Sequence, residues 1–426
     1  MIKIVRPEDC CGCSACACIC PRHCISMTED KEGFLYPHVN KEACVNCGMC
    51  DKVCPIHKES KTQEPIMAFA SYSKDEFLRK SSSSGGVFSM LAETTINEGG
   101  VVFGAKYDEN WNVIIGSTSD KNGLAAMRGS KYVQASIADS YKTAKKYLQE
   151  GRKVLYSGTP CQIAGLKSYL KKEYDNLLSV DLSCHGVPSP LVWRLYLNEI
   201  LNVVNVNATN VLFRDKKPSW ESFNFTIRFD KDNGTAELSW PRLNNTFMKA
   251  FLSNMILSPS CSRCLFKDGR GCSDVTLADY WGIDNIHQGL NDDKGISLVI
   301  ARTEKGIKAL HLMRNSVLIE TDYIKARAFN EGLKSEAWTH PNRWRFFRKL
   351  HHSNSIISLI EKCLRPTLLE RFQNKLMKYI IPLGGVMYNK GQESIVNINN
   401  LQSIDFRSKS NSWENYNIVI KIKFDL

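Results

Sequence analysis

Two cysteine runs near the start of the chain have the spacing of iron–sulfur cluster ligands. The sequence contains 17 cysteines, and residues 10–21 and 44–55 each follow the pattern C-x2-C-x2-C-x3-C-P. Three thiolates of one run can hold three corners of a cube, while the fourth cysteine is carried away to the other cube. We therefore predict two 4Fe-4S clusters in a two-cluster ferredoxin-like module. The predicted ligands are Cys10, Cys13, Cys16 and Cys54 for one cluster, and Cys44, Cys47, Cys50 and Cys20 for the other.

Zinc is the alternative for these runs. Structural zinc sites generally use two C-x2-C pairs and need no third cysteine in each run. Two complete repeats of the iron–sulfur spacing therefore favour clusters. Cys11, Cys18 and Cys24 fall outside the pattern, and we expect them to be small buried apolar side chains.

A second set of cysteines lies far from the first. Cys261, Cys264 and Cys272 are close in sequence, and Cys161 and Cys184 are isolated ones upstream. A C-x2-C pair joined by two isolated cysteines can form a metal site. The spacing alone fits either zinc or a third 4Fe-4S cluster.

Two loops could bind a ligand or take part in chemistry. The segment SSSSGG at residues 81–86 precedes a predicted helix, where hydroxyl and backbone N–H groups can bind a phosphate. A flexible linker with a helix cap is an equal alternative. His185 lies in a turn rich in proline and glycine, where a lone histidine is more often structural than chemical. No dinucleotide-binding or P-loop fingerprint occurs in the sequence.

The elements that must position these residues alternate between strands and helices. Apolar strand patterns such as residues 153–157 and 176–182 alternate with helical segments such as 162–172 and 189–202. We predict an α+β ferredoxin-like module followed by an α/β domain with a mixed sheet. The predicted divisions are a cluster module over 1–60, a polar linker near 58–65, a catalytic domain over 66–330 and a C-terminal extension over 331–426.

Composition excludes several classes of protein. Hydrophobic residues make up 43% and charged residues 23%, which excludes a mainly disordered, collagen-like or coiled-coil chain. The net charge of +12 favours an acidic partner, a nucleic acid or an anionic membrane surface. We expect neither a secretory signal nor a membrane-spanning helix. Together with the many cysteines, this predicts a cytoplasmic protein with metal or redox chemistry.

The C-terminal region is basic and rich in aromatic residues. The segment NRWRFFRKLHH at 342–352 precedes apolar residues at helical spacing, which Pro366 interrupts. We expect a helix packed on the core with a solvated basic face; peripheral contact with an anionic membrane is the alternative. We expect no binding of nucleic acid, because no motif for it is present. The tail from residue 384 gives no readable signal.

Several motifs occur together in a recognisable order. These are SSSSGGVF, RGSKYVQ, SGTPCQIAGLKSYL, VDLSCHGVPSP and CSRCLF followed by DVTLADYWGI. With the N-terminal cysteine runs, they resemble the coenzyme F-420 hydrogenase/dehydrogenase beta-subunit family over residues 1 to about 330. The resemblance implies an iron–sulfur flavoprotein that passes electrons between clusters and FAD and exchanges hydride with an organic acceptor. Many bacterial members accompany genes of polysaccharide synthesis.

The resemblance also implies roles for individual residues. It supports Cys161, Cys184, Cys261 and Cys264 as ligands of an inner 4Fe-4S cluster, with Cys272 as an extra cysteine. The expected FAD site comprises Ser83, Ser84, Gly85, Gly86, Lys131, Tyr132, Gln134, Thr159, Pro160 and Gln162. Within it, Lys131 is the candidate for stabilising charge on the reduced flavin, and His185 is the candidate for proton delivery.

Our leading hypothesis is an iron–sulfur flavoprotein oxidoreductase that takes electrons from a redox donor such as ferredoxin and transfers hydride to an unknown organic substrate. Two alternatives remain open at this point. One is an electron-transfer subunit without a substrate site of its own. The other is an oxidoreductase of the deazaflavin coenzyme F-420.

Overall fold

A computed structural model of the protein describes residues 1–58, 62, 64–231, 234–366, 396–398 and 401–404. By its contacts the chain divides into two compact units, Met1–Cys363 and Leu364–Leu426. In the second unit, the strands Val396–Ile398 and Leu401–Ile404 pair antiparallel. The division into three domains remains a prediction.

The first unit contains thirteen strands among its described residues. They are β1 (Ile25–Glu29), β2 (Leu35–Val39), β3 (Met67–Ser73), β4 (Val101–Tyr107), β5 (Val113–Thr118), β6 (Val154–Gly158), β7 (Leu177–Leu182), β8 (Ala208–Asp215), β9 (Asn224–Lys231), β10 (Gly234–Pro241), β11 (Val275–Asp279), β12 (Ser297–Ala301) and β13 (Ser316–Glu320). Eight of them form one sheet in the order β13-β3-β12-β11-β7-β6-β4-β5. Strands β4, β6, β7 and β11 run parallel, and antiparallel strands complete both edges. The predicted α/β architecture with a large mixed sheet is therefore confirmed.

Helices of the first unit cover the sheet and connect its strands. They are α1 (Ala15–Ile19), α2 (Met49–Lys52), α3 (Glu76–Ser81), α4 (Val87–Asn97), α5 (Lys121–Met127), α6 (Ser140–Gln149), α7 (Pro160–Leu170), α8 (Pro190–Val204), α9 (Thr246–Leu252), α10 (Glu304–His311), α11 (Tyr323–Ala328), α12 (Glu331–Lys334), α13 (Arg343–Leu350) and α14 (Ile356–Leu364). Helix α7 begins with a capping box, because Thr159 and Gln162 satisfy each other's backbone groups.

Side chains that alternate in direction along each strand bury both faces of the large sheet. In β12, Val299 packs into the cluster that contains residues of α4, while its neighbours Leu298 and Ile300 pack into a second cluster. Successive side chains of a strand point to opposite faces, so one apolar run supplies both cores.

A separate three-stranded sheet, in the order β10-β9-β8, packs its aromatic residues against α8 and α9. Trp193 of α8 lies 5.1 Å from Phe213 and 5.4 Å from Phe247, measured between ring centroids. Tilted aromatic pairs at these distances stabilise a core beyond the area that they bury. The sheet forms one wall of the large pocket described below.

The cysteine runs flank the antiparallel hairpin β1–β2. The sequence predicts a short hairpin over residues 33–44, but the pairing strand begins earlier, at Ile25. Helices α1 and α2 are short helices that start after residues with a left-handed backbone, Ser14 (φ 60°) and Gly48 (φ 72°). The structure thus has a cysteine-rich hairpin unit at this end, and its identity as a two-cluster module is a proposal.

The C-terminal segment of the first unit packs on the core. Helix α13 buries Phe346, Phe347 and Leu350, and α14 ends two residues before Pro366. The predicted continuation of the apolar pattern lies outside the described residues. Within the described part of the chain, no helix is long and apolar enough to cross a membrane.

Candidate functional site

The first predicted ligand set lies together. The thiol of Cys10 interacts electrostatically with those of Cys13 and Cys54, and the thiol of Cys16 interacts with all three. Burial raises the pKa of Cys10 to about 12, because the thiolate loses hydration there. Helix α1 brings Cys16 to the site, and Cys54 arrives from the end of α2.

The second predicted set lines a small cavity of about 20 Å³ at the edge of the hairpin unit. Its cysteines are Cys20, Cys44, Cys47 and Cys50, together with Cys24. The sulfurs of Cys20 and Cys24 are 3.3 Å apart. Cys24 is therefore buried as expected, but it also lies within a thiol cluster. Cys47 is exposed to solvent.

A third group of cysteines surrounds a cavity of about 150 Å³ between the sheet and the hairpin unit. The lining includes Cys161, Cys184, Cys261 and Cys264, which are the four predicted inner ligands, and also Cys11. Cys272 is not part of this lining, and the charged groups that act on it are Lys167, Asp181 and Glu173. The structure thus brings the four inner cysteines together, and their role as ligands remains a prediction.

Parallel strands explain why distant cysteines meet here. Cys161 is the second residue of α7, directly after β6, and Cys184 follows β7, the parallel neighbour of β6. The carboxyl ends of parallel strands share one edge of a sheet, where binding sites form. The turn Pro259–Arg263 contributes Cys261, and the side chain of Lys267 donates a hydrogen bond to the carbonyl of Cys184.

Cys11 joins two thiol groups, which differs from the expectation of a small buried apolar residue. Its thiol lies near those of Cys13 of the first set and Cys161 of the inner set, and both raise the pKa of Cys11. Interaction with Cys11 lowers the pKa of Cys161. No pattern in the sequence marks this contact, because Cys11 lies outside both ligand patterns.

The donor chemistry of these groups fits iron–sulfur clusters. Buried thiols meet with little opposing charge, and burial raises the pKa of Cys184 to about 12. Iron supplies the positive charge that stabilises several converging thiolates. Within the described residues, no three His, Cys, Asp or Glu side chains are arranged to hold a single metal ion.

Asp181 is a buried carboxylate on the wall of the inner cavity. It is 1% exposed, and neither of its oxygens has a hydrogen-bond partner of good geometry among the described residues. Burial raises its pKa to about 6, against the opposing effects of the nearby Thr276 hydroxyl and Arg302.

A larger pocket of about 550 Å³ adjoins the inner cavity, and its size suits a cofactor or a large ligand. It collects residues from the ends of the central strands, the serine loop (residues 81–86) and the three-stranded sheet. Seven of the ten predicted FAD residues line it: Ser83, Ser84, Gly86, Lys131, Tyr132, Thr159 and Gln162.

Three predicted FAD residues lie elsewhere. Gly85 is packed under the loop, where an added Cβ would lie 2.2 Å from the carbonyl oxygen of Ser71. The side chain of Gln134 faces the hairpin unit, and its Oε1 accepts a hydrogen bond from the Leu35 N–H. Pro160 lines the inner cysteine cavity. Motif membership does not distinguish a residue that shapes a loop from one that faces the pocket.

The serine loop is held by its own hydrogen bonds. The Oγ atom of Ser83 accepts from the N–H and the hydroxyl of Ser130, at 2.7 and 2.9 Å. Lys216 donates to the carbonyl of Ser84 at 2.6 Å. Gly86 precedes α4 with φ 89°, a conformation that favours glycine. The loop therefore has a defined shape and is not a flexible linker.

Both candidate catalytic residues line the large pocket. Burial lowers the pKa of Lys131 to about 7, and its amine donates to the carbonyls of Arg128 and Gly129. His185 Nε2 lies 2.6 Å from Asn254 Oδ1. Because an amide oxygen only accepts, Nε2 carries the proton and Nδ1 can accept one. Burial also lowers the pKa of His185.

Several pocket residues lie outside the recognised motifs and carry no sequence signal. They are Arg214, Phe223 and Arg242. Arg128, Trp281 and Asp279, the ion-pair partner of Arg214, also line the pocket. Their positions within the motifs RGSKYVQ and DVTLADYWGI are the signals that could have identified them.

The inner cavity and the large pocket share a wall. Residues Cys184, His185, Gly186 and Val187 line both. One turn after β7 therefore separates the cysteine group from the pocket.

Residues 151–327 match the family model for the C terminus of the "Coenzyme F420 hydrogenase/dehydrogenase, beta subunit". This stretch contains the four inner cysteines, and the match supports the predicted resemblance to that family of oxidoreductases. Among solved structures it is similar to an F420-reducing nickel–iron hydrogenase complex from Methanosarcina barkeri. That match has 17% identity, covers 71% of this chain and 91% of that chain, and has a TM-score of 0.39. No curated protein matches the chain.

Proposed function

We propose that the protein is an iron–sulfur flavoprotein oxidoreductase that binds FAD in the large pocket and exchanges hydride with an organic acceptor there. The shared wall of Cys184–Val187 is the observation that carries this proposal. It puts the inner cysteines beside a pocket of cofactor size. In an electron-transferring flavoprotein, the cluster and the flavin must be such neighbours.

The arrangement of the three cysteine groups supports a continuous route for electrons into this pocket. The exposed Cys47 belongs to the second set, and α1 separates Cys16 of the first set from Cys20 of the second. Cys11 then links the first set to Cys161 of the inner set. Of the predicted ligands, Cys47 is exposed and the others are buried or half-buried. Solvent exposure is one of the factors that set cluster potentials.

In the pocket, residues of the chain would bind and orient the flavin. The serine loop and the start of the eleven-residue helix α4 offer hydroxyl and N–H groups that suit its phosphates. FAD supplies the two-electron hydride chemistry that links one-electron clusters to an organic acceptor. Lys131 would stabilise negative charge, and the Nδ1 atom of His185 would hold a proton.

The redox donor is proposed to be a small acidic electron carrier such as ferredoxin. The exposed loop with Val45 and Cys47 gives this carrier access to the second cysteine set. The net charge of +12 favours the encounter of the protein with an acidic carrier. The family description names coenzyme F420, so the deazaflavin is the second candidate for the organic acceptor.

Anaerobic purification tests the cofactors. We expect brown protein with about twelve irons, equal inorganic sulfide and about one FAD per chain. Cys13→Ser and Cys47→Ser should each lose about four irons. Stoichiometric zinc without sulfide after anaerobic reconstitution would contradict the cluster assignment.

A matched pair of arginine variants tests the flavin site. Arg128 donates to hydroxyls of Ser81 and Ser89 beside the serine loop, whereas Arg152 donates to Gly99 on another part of the surface. Arg128→Met should lower flavin occupancy, and Arg152→Met should leave it unchanged. Gly85→Val is unsuitable, because its side chain would strike β3. Steady-state reduction of an organic acceptor by the isolated protein separates an enzyme from an electron-transfer subunit.

A further inference from the structure

Two arginines of the large pocket face the same aromatic ring. The guanidinium carbon of Arg214 lies 4.2 Å from the ring centroid of Phe223, and that of Arg242 lies 5.1 Å from it. Both cations are thus placed against an apolar surface that leaves them poorly hydrated. The two guanidinium groups differ in whether a carboxylate neutralises their charge.

Asp279 neutralises the charge of Arg214, although Arg214 Nε has no hydrogen-bond partner among the described residues. Its guanidinium donates to both carboxylate oxygens of Asp279, at 2.6 and 3.1 Å. Trp220 donates to the same carboxylate at 3.0 Å. This buried pair stabilises the pocket wall and leaves no charge for a ligand.

Arg242 has no such carboxylate within the described residues. Its backbone N–H donates to the carbonyl of Phe223 at 3.2 Å, which fixes the residue directly after β10. The side chain is half-buried and lines the pocket. A positioned guanidinium without a carboxylate matches the planar, two-oxygen face of a carboxylate, phosphate or sulfonate.

The other cations of the pocket belong to a different part of it. Arg128 bonds to hydroxyls beside the serine loop, and Lys131 bonds to carbonyls of the adjoining turn. Both therefore lie in the part of the pocket where the flavin is proposed to bind. Arg242 directly follows β10 of the three-stranded sheet. Its charge is therefore available to a second anionic group.

We propose that Arg242 binds a negatively charged group of the organic acceptor, and that the acceptor is a planar ring compound carrying a carboxylate, phosphate or sulfonate. This inference rests on the proposed function. The acceptor is expected to be planar because Trp281, Phe251 and Phe329 line the pocket, and aromatic side chains pack well against a flat ring. The ring would lie among these side chains with its charged group at Arg242.

Two anthraquinones of nearly equal size provide the probes. Anthraquinone-2-sulfonate is an anion, and anthraquinone-2-sulfonamide is its neutral counterpart. Their dissociation constants are measured by calorimetric titration of the oxidised, flavin-loaded full chain under anaerobic conditions. The variants are Arg242→Ala and, as a control, Arg228→Ala on β9, whose side chain pairs with Glu237 at 3.5 Å.

We expect Arg242→Ala to weaken binding of the sulfonate about tenfold to a hundredfold, as for the loss of a hydrogen bond to a charged group. Binding of the sulfonamide and the flavin content should not change, and Arg228→Ala should bind both probes as the parent protein does. Equal losses for both probes, or no loss for either, would overturn the assignment to an anion. Loss of flavin in Arg242→Ala would instead assign the arginine to the cofactor. Absence of flavin from the parent protein would overturn the proposed function itself.

Discussion

Arg343 and Glu32, 311 residues apart in the sequence, form an ion pair with 2.5 Å between Nη2 and Oε2. Arg343 begins α13, and Glu32 lies in the turn of the hairpin β1–β2. The pair is mostly buried, with exposed side-chain fractions of 13% and 16%. His351 adds a hydrogen bond to the carbonyl of Lys31. The basic C-terminal segment thus fastens the cysteine-rich hairpin unit to the body of the protein.

Arg343→Met should destabilise the protein by about 3 kcal/mol, because Glu32 is left as an unpaired and largely buried charge. The urea unfolding midpoint measures the loss. Arg6→Met is the control, since Arg6 pairs with Asp9 on the surface with 57% of its side chain exposed. That change should cost far less stability than Arg343→Met, because solvent screens an exposed ion pair. Similar losses in the two variants would show that the Arg343 contact does not fasten the hairpin.

Cys184 and Cys272 should respond differently to the same substitution. Cys184→Ser removes a sulfur from the inner cavity and should lower the iron content by about four atoms per chain. Cys272→Ser should leave iron unchanged, because Cys272 does not line that cavity. Iron and sulfide analysis of anaerobic protein measures both. Iron loss in the Cys272 variant alone would require a new inner ligand set.

Gly165→Ala, a substitution on the neighbouring helix α7, should disrupt the first cysteine set. A Cβ atom at this position of α7 would lie 2.9 Å from Cys13 Cβ and 3.0 Å from its Sγ. Alanine stabilises a helix interior relative to glycine, so loss of helix propensity cannot explain an effect. We expect about four fewer irons with the flavin retained. Full iron content would mean that the cysteine loop moves aside without losing its ligand geometry.

Asp181→Asn should stabilise the protein at neutral pH. The pKa of this carboxyl is raised to about 6 in the folded state, above the ordinary value of 3.8. The folded state therefore favours the protonated form, and stability is lost as the pH rises from 3.8 through 6. Removing the charge should increase the unfolding free energy by about 1 kcal/mol at a pH of about 4.5 and about 3 kcal/mol at a pH of about 7.5. Urea unfolding at the two pH values measures both.

Asp274 is the matched control for this pH dependence. It is equally buried, but its carboxylate accepts hydrogen bonds from Ser179 and Thr303. Asp274→Asn should therefore destabilise the protein at neutral pH. If Asp181→Asn is also destabilising there, its carboxylate has a partner that compensates its burial.

The alternation of strands and helices can be predicted because each buried strand is a short apolar run with clear ends. The strand patterns at residues 153–157 and 176–182 correspond to β6 and β7. Since the pattern predicts both strands in one sheet, the meeting of Cys161 and Cys184 at its edge follows from their positions after them.

The rest of the pocket does not follow from the sequence. Gly85 belongs to a recognised motif but packs against β3, and Arg242 belongs to none but faces the pocket. Which side of a loop faces a cavity depends on tertiary packing, which local residue patterns do not record. Cys11 shows the same limit, because its contact with Cys161 spans two separate parts of the chain.

The shared turn after β7 and the three-stranded sheet that precedes Arg242 are separate segments of the chain. Each segment therefore forms a different part of the pocket wall. The turn fixes the spacing between the cysteine group and the pocket through covalent bonds. The sheet β8–β10 can vary without altering that spacing. On the proposed function, selection can therefore exchange one acceptor for another by substitution in a peripheral sheet, while the spacing between the cysteine group and the pocket is inherited unchanged.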